Sequence, residues 1–243
     1  MMNTTTMKYF KYIISSIFIV PFALQIQADS AQAQEVSISP GVDLYSTYVW
    51  RGVAYSGPSV QPYIELSSGG FAIGAWGSQG IDGSIADESV GFQEMDLYAS
   101  YSFDFGLSLG ITDYYYPGTP YFSYKSDPEN GDFSSHAIEF NGGYTIENLS
   151  LAANYIVNES PEGAGSAGGD MYYQLGYAAG AAELFIGGGD GWHSTDGDFK
   201  IVNVGIGASK EIEVTETFSL PFSGAAILNP DTEQFYIVVG LSL

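Results

Sequence analysis

The sequence predicts an all-β fold: an up-and-down antiparallel transmembrane β-barrel of about 12 strands, with short periplasmic turns and long external loops. Three observations predict it. Apolar and polar residues alternate with period two in short segments bounded by turn residues. The connections between those segments alternate strictly, long then short, from the first to the last. One face of the alternation is a run of hydroxyls, amides, glycines and carboxylates that is poor in Lys and Arg, whereas solvated sheet faces mix both signs.

Residues 1–33 read as an export leader. Lys8 and Lys11 precede the apolar run IISSIFIVPFAL, and the small residues Ala31 and Ala33 follow it. The run is too short to cross a bilayer as a helix. Cleavage after Ala33, with Ala28 as the alternative point, would leave residues 34–243 as a single barrel domain. The first segment, 36–51, sets Val36, Ile38, Val42, Leu44, Tyr48 and Trp50 against Ser37, Ser39, Gly41, Asp43, Tyr45, Thr47, Val49 and Arg51. In 59–68, Val60, Ile64 and Leu66 oppose Gln61, Tyr63, Glu65 and Ser67, and SSGG turns the chain into 71–79. In 92–104, Met95, Leu97, Ala99, Tyr101 and Phe103 oppose Glu94, Asp96, Tyr98, Ser100 and Ser102; DFG then leads into 106–116. Segment 136–145 sets Ile138, Phe140, Gly142 and Tyr144 against Ala137, Glu139, Asn141 and Gly143, and IEN leads into 149–157. AAGA joins 171–178 to 182–189, and KEIE joins 199–209 to 213–227; Gly and Val are too frequent in 182–189 and 199–209 to fix a parity. The last segment, 232–243, carries Phe235, Ile237, Val239, Leu241 and Leu243 on one face. Long connections begin and end the series, which puts both termini on the short-turn side, as for a barrel inserted from the periplasm.

Charge narrows the partners. The chain carries 28 Asp and Glu against 6 Lys and Arg, a formal net charge of −22, and the leader would remove two of those lysines. A nucleic-acid partner is not expected, because phosphate contacts need Lys and Arg. With no cysteine, neither disulfides nor thiolate metal sites are available. Tyr48, Trp50, Tyr101, Phe103, Tyr114 to Tyr116 and Tyr144 fall near strand ends, where an interfacial girdle would lie. Asp113, His136 and Lys200 fall on the apolar face, at strand ends where charge costs little.

The stretches LYSTYVWRGVAYSGPSVQPYIEL (44–66), GGFAIGAWGS (69–78), EMDLYASYSF (94–103), YYYPG (114–118) and LNPDTEQFYIVVGLSL (228–243) resemble the TorF-like porin family, also labelled Gcw_chp. The shared signature is an aromatic-rich Y-V-W/F-R-G, a G-x-W-x-S after the first turn, and an acidic–hydrophobic strand followed by Y-Y-P-G. The resemblance spans nearly all of the chain after the leader. It implies a pore in the outer membrane of a Gram-negative cell, names no solute and carries over no catalytic residues. Leu243 departs from outer-membrane barrels at large, where a final Phe is commoner.

Twelve strands make a lumen narrower than that of sixteen-stranded porins, and the loop 117–135 is a candidate plug. The expected pore-lining residues are Asp43, Glu65, Glu94, Asp96 and Glu139, with Arg51 as the one inward cation near the external mouth. Glu94, Asp96 and Glu139 would form an acidic patch. A wall of one sign concentrates ions of the other, so passive flow should favour cations or small cationic or neutral solutes. Arg51 is either a constriction residue or a structural partner of Asp43 or another wall carboxylate. The acidic loops IDGSIADE, SDPENGDF and GDGWHSTDGD hold oxygen ligands, yet none follows the EF-hand pattern, and no cofactor is expected. Ser134-Ser135-His136 has no clear orienting acid, and no enzyme is expected. The expected partners are outer-membrane lipid and small solutes. The alternatives are a non-conducting outer-membrane barrel with a structural or surface-binding role, and a soluble secreted β-protein.

Overall fold

The computed structural model describes residues 35–82, 91–125, 127, 133–160, 166–215 and 218–243. The expected leader and its cleavage point lie outside the described residues, as do most of IDGSIADE and SDPENGDF. Twelve strands form a closed barrel: β1 (Ser37–Tyr45), β2 (Ser59–Ser68), β3 (Phe71–Gly80), β4 (Gln93–Ser102), β5 (Leu107–Tyr115), β6 (His136–Ile146), β7 (Leu149–Ile156), β8 (Met171–Ala179), β9 (Ala182–Gly189), β10 (Lys200–Thr215), β11 (Phe218–Asn229) and β12 (Gln234–Ser242). Each pairs antiparallel with its chain neighbours. β1 closes on β12 through Asp43↔Ser242, Leu44↔Leu241 and Tyr45↔Gly240. Closure removes the free edges that an open meander would expose.

Alternation decides what each face meets. Ile38, Ile64, Leu66, Leu109, Phe140, Leu151 and Leu184 are exposed on the outer wall, and Phe235 and Ile237 of β12 are 61% and 69% exposed. The inner wall buries Gln61, Glu65, Glu94, Asp96, Thr112, Glu139, Gln174, Glu183 and Asn203. A closed sheet that is apolar outside and polar inside is inverted relative to a water-soluble protein, and hydrocarbon contact is what makes the inversion favourable. Tyr101, Phe103 and Tyr144 belong to the exposed outer aromatics, whereas Tyr114 points inward and is buried.

Glycines inside the barrel make room for rings. Gly41 faces Tyr63, Gly74 faces Tyr98, Gly205 faces Phe185 and Gly240 faces Tyr45 across adjacent strands. In each case a Cβ on the glycine would overlap the ring. These pairs fill a small cylinder without overpacking it.

Two predicted boundaries move. The first segment does not run to residue 51: β1 ends at Tyr45, the chain bends at 46–47, and Tyr48 and Trp50 are buried inside rather than placed on the outer face. KEIE is not a turn. Lys210, Glu211, Ile212 and Glu213 continue the β10–β11 ladder opposite Phe222, Pro221, Leu220 and Ser219. Beyond Ala208 β10 has no β9 partner in that ladder and residues 210–215 are exposed on both faces, so charged residues are tolerated there. The parity left open in 182–209 is explained by a register shift at Gly187/Gly188, opposite which Val202 is left over and buried.

Candidate functional site: a hairpin seated in the lumen

Residues 46–58 fold into the barrel as a small hairpin, Tyr48–Trp50 against Val53–Ser56. Its turn is Arg51-Gly52, with φ of 50° and 84°. Two positive φ values in a two-residue loop give the twist that suits a tight hairpin. Gly52 is needed for space as well as for φ, since a Cβ there would run into the backbone carbonyl of Val202 on β10. That carbonyl and the Asn229 side chain of β11, which donates to the Gly52 carbonyl at 3.1 Å, hold the tip against one wall.

The opposite wall supplies the charges. Arg51 Nη1 donates to Glu139 Oε2 at 2.7 Å and Nη2 to Oε1 at 2.9 Å, a two-pronged pair with Glu139 of β6 wholly buried. The guanidinium lies between the rings of Trp50 and Tyr172, 4.3 and 4.4 Å from their centroids. Tyr114 donates to Glu139 at 3.0 Å and Asn141 at 2.6 Å, so that carboxylate has its acceptor sites filled. The His193 Nε2 lies 3.4 Å from Arg51 Nη1. Burial, and then the nearby Arg51 charge, hold the His193 imidazole well below its ordinary value, so the neutral ring can accept from the guanidinium.

A second anchor joins hairpin to β4. Tyr48 donates to Glu94 Oε2 at 2.7 Å, and Tyr116 to Oε1 at 3.3 Å. Tyr48, Trp50, Trp76, Tyr98 and Tyr114 form one buried aromatic cluster, against which Tyr55, Phe92, Tyr116 and Trp192 pack. Trp50 meets Tyr114 edge-on at 5.5 Å and Trp192 at 5.0 Å.

Of the expected pore-lining residues, the structure brings Arg51, Glu94, Asp96 and Glu139 together around the hairpin. Glu65 stands apart, accepting from Tyr98 at 3.1 Å, and Asp43 lies across from Ser242. Arg51 pairs with a wall carboxylate, which is Glu139 and not Asp43. The segment found in the lumen is 46–58. Sequence reasoning missed Tyr48, Trp50, Tyr114, Tyr172, Trp192 and His193. The signal available was the Arg-Gly pair flanked by YVW and VAYS, a miniature hairpin hidden at the end of a strand-like run.

The outer wall carries a second cluster. His136 Nδ1 lies 2.8 Å from Asp113 Oδ1, and Nε2 lies 2.6 Å from the Tyr121 carbonyl oxygen. Tyr124 stacks on the imidazole at 4.0 Å and Tyr115 at 5.0 Å. The acid that the sequence reading did not find for His136 is therefore Asp113, brought over from the preceding strand. Both ring nitrogens face acceptors, and the Ser134 hydroxyl meets the His136 backbone rather than its ring. Lys200 pairs with Asp196 at 3.0 Å.

Residues 28–232 match the family described as "Bacterial protein of unknown function (Gcw_chp)". The chain belongs to the Gcw_chp family. No curated protein matches it. Among solved structures, a mutant porin of Rh. blastica shares 14% identity at a TM-score of 0.38, over 76% of this chain and 55% of that one. The chain thus spans little more than half the length of that porin. The outer membrane phospholipase A of Escherichia coli shares 14% identity at a TM-score of 0.43, over 83% of this chain and 90% of that one. Its Salmonella typhi counterpart, a dimer with bound calcium, shares 15% at 0.42, over 88% and 93%. None of these likenesses assigns an activity to this Gcw_chp protein.

Proposed function

We propose that this protein is a porin-like channel of the bacterial outer membrane, that it passes small solutes with a preference for cations, and that the hairpin 46–58 closes its external mouth. The observation that carries the reading is the charge of the inner wall. Asp43, Glu65, Glu94, Asp96 and Glu139 lie on the inward parity, and among the described residues Arg51 is the one Lys or Arg in an ion pair with any of them. Arg51 sits on the hairpin itself, so a hairpin that swings out leaves an acidic passage. The exposed apolar wall, the leader-like N-terminus and the resemblance to TorF-like porins support an outer-membrane location.

Planar-bilayer recordings test this. A variant with residues 48–56 replaced by a short Gly-Ser link should conduct at least fivefold more than wild type, with a cation-selective reversal potential. Anion selectivity would defeat the cation preference, and silence in both proteins would defeat the channel reading. Silence would leave the second reading, a non-conducting barrel with a structural or surface-binding role. That reading draws its own support from the hairpin, whose contacts reach from β4 and β6 across to β10 and β11.

A further inference from the structure

Glu94, Asp96 and Glu139 form one acidic group, but their carboxylates are not equivalent. Glu139 is taken up by Arg51, Tyr114 and Asn141, and Glu94 by Tyr48 and Tyr116. Asp96 is 2% exposed, and among the described residues neither of its carboxylate oxygens has a hydrogen-bond partner. Leaving a buried carboxylate with neither donor nor cation is costly, so a ligand that supplies both is favoured there.

The surroundings select that ligand. In the barrel register Asp96 lies between Trp76 of β3 and Tyr114 of β5, with Tyr98 on the same face of its own strand. Tyr48 approaches from the hairpin, its ring 5.7 Å from that of Trp76. A divalent metal fits poorly: the neighbouring carboxylates are engaged, and among the described residues no three His, Cys, Asp or Glu side chains are arranged around a metal. Two acceptor oxygens without a donor, set among aromatic side chains, suit a protonated primary amine. Its N–H groups bond the oxygens while its charge and alkyl carbons lie against the rings.

We propose that Asp96, with Tyr48, Trp76, Tyr98 and Tyr114, forms a binding site for the ammonium group of a small primary amine inside the barrel. The proposal refines the cation preference argued above and rests on that reading for the amine's relevance as a solute, not for its binding. Tyr48 belongs to the hairpin, so the site is complete only while the hairpin is seated. Occupancy and seating are therefore coupled, and each favours the other.

All three tryptophans of the chain, Trp50, Trp76 and Trp192, lie in or against this cluster, so intrinsic fluorescence reports on it. The detergent-folded full-length barrel is titrated with ethylammonium chloride, with sodium chloride at equal ionic strength, and with ethanol. Ethylammonium should give a saturable change that sodium and ethanol do not. Asp96→Asn should weaken it at least tenfold, while Asp104→Asn, an exposed acid of the β4–β5 turn, should leave it unchanged. A signal equal in Asp96→Asn, an equal response to sodium or ethanol, or no saturation overturns the site. The wild-type ligand comparison decides even if Asp96→Asn does not fold. Binding without any conductance defeats the channel and keeps the site; cation conductance without saturable binding defeats the site alone.

Discussion

Two segments of this barrel fold back on it, one inward and one outward, and they use the same parts. Inside, Arg51 is held by Glu139 and lies between the rings of Trp50 and Tyr172. Outside, His136 is held by Asp113 and lies between Tyr115 and Tyr124, the latter from the segment after β5. In both, a buried cationic or cation-forming side chain meets a carboxylate of the barrel wall under stacked aromatics. The difference is what lies beyond. Glu139 is fully buried, so the inner pair must be complete or it becomes a liability, whereas the Asp113 side chain keeps 20% exposure and can fall back on water. The comparison teaches that the inner segment is locked by charge and the outer one is draped by ring stacking.

Removing Arg51 should break the inner lock with the largest effect. Arg51→Ala leaves Glu139 buried without its cation, and breaking one partner of such a pair costs about 3–5 kcal/mol. Tyr114 and Asn141 remain as donors, so the low end is expected. Urea unfolding of the detergent-folded barrel, followed by tryptophan fluorescence, measures it. An Arg51→Ala, Glu139→Gln double variant should recover much of the loss, since no unpaired charge is left behind. An additive double variant would show that the pair does not hold the hairpin.

Gly52→Ala tests the same lock through shape instead of charge. The new methyl group meets the Val202 carbonyl and prefers a different φ. It should destabilise the seated hairpin by about 1–3 kcal/mol. Under the channel reading, the variant should also open more often in bilayer recordings while keeping the wild-type selectivity.

How far this arrangement was legible follows from the same residues. Twelve segments, their alternation of long and short connections, and the inward carboxylates are local properties of period and composition, and the barrel follows them closely. The hairpin escaped because Tyr48, Val49 and Trp50 continue the alternation of β1 in sequence, while the bend at 46–47 turns Tyr48 and Trp50 inward. Period two cannot report a bend at 46–47. The His136–Asp113 pair escaped for a different reason: its members are 23 positions apart and meet only because β5 pairs with β6 at Tyr115↔His136 and Asp113↔Ile138. KEIE misled because charge is a turn signal only where a strand would otherwise be buried, and at the open end of β10 it would not be.

His136→Gln should be milder than either inner change. It removes the stacked imidazole from Tyr115 and Tyr124 and one partner from Asp113, which water can replace. About 1–2 kcal/mol is expected, in line with aromatic pairs and partly exposed hydrogen bonds. The readout is local: protease cleavage near residues 121–125 should rise several-fold, while the tryptophan signal of the hairpin cluster stays at its wild-type value. A change in that signal would show that the two folded-back segments are coupled rather than independent.

The smallest effect distinguishes the two segments by pH. His193 packs against Trp192 and Tyr172 and faces Arg51, with Glu139 behind the guanidinium. Its folded value is depressed, so near pH 7.5 the ring is neutral in both folded and unfolded chains and contributes nothing pH-dependent. As pH falls through 6.5, the unfolded chain takes up a proton that the buried ring beside Arg51 refuses, and stability declines. The slope from this one group stays below about 1.4 kcal/mol per pH unit, so the loss between pH 6.5 and 5.5 is at most about 1 kcal/mol. Carboxylates of the lumen titrate as well, so the measurement is the difference between wild type and His193→Gln in urea midpoint across pH 7.5 to 5.0. The wild type should lose ground relative to the variant on acidification. Parallel pH profiles would mean that His193 takes up its proton in place, and the neutral acceptor assigned to it beside Arg51 would have to be abandoned.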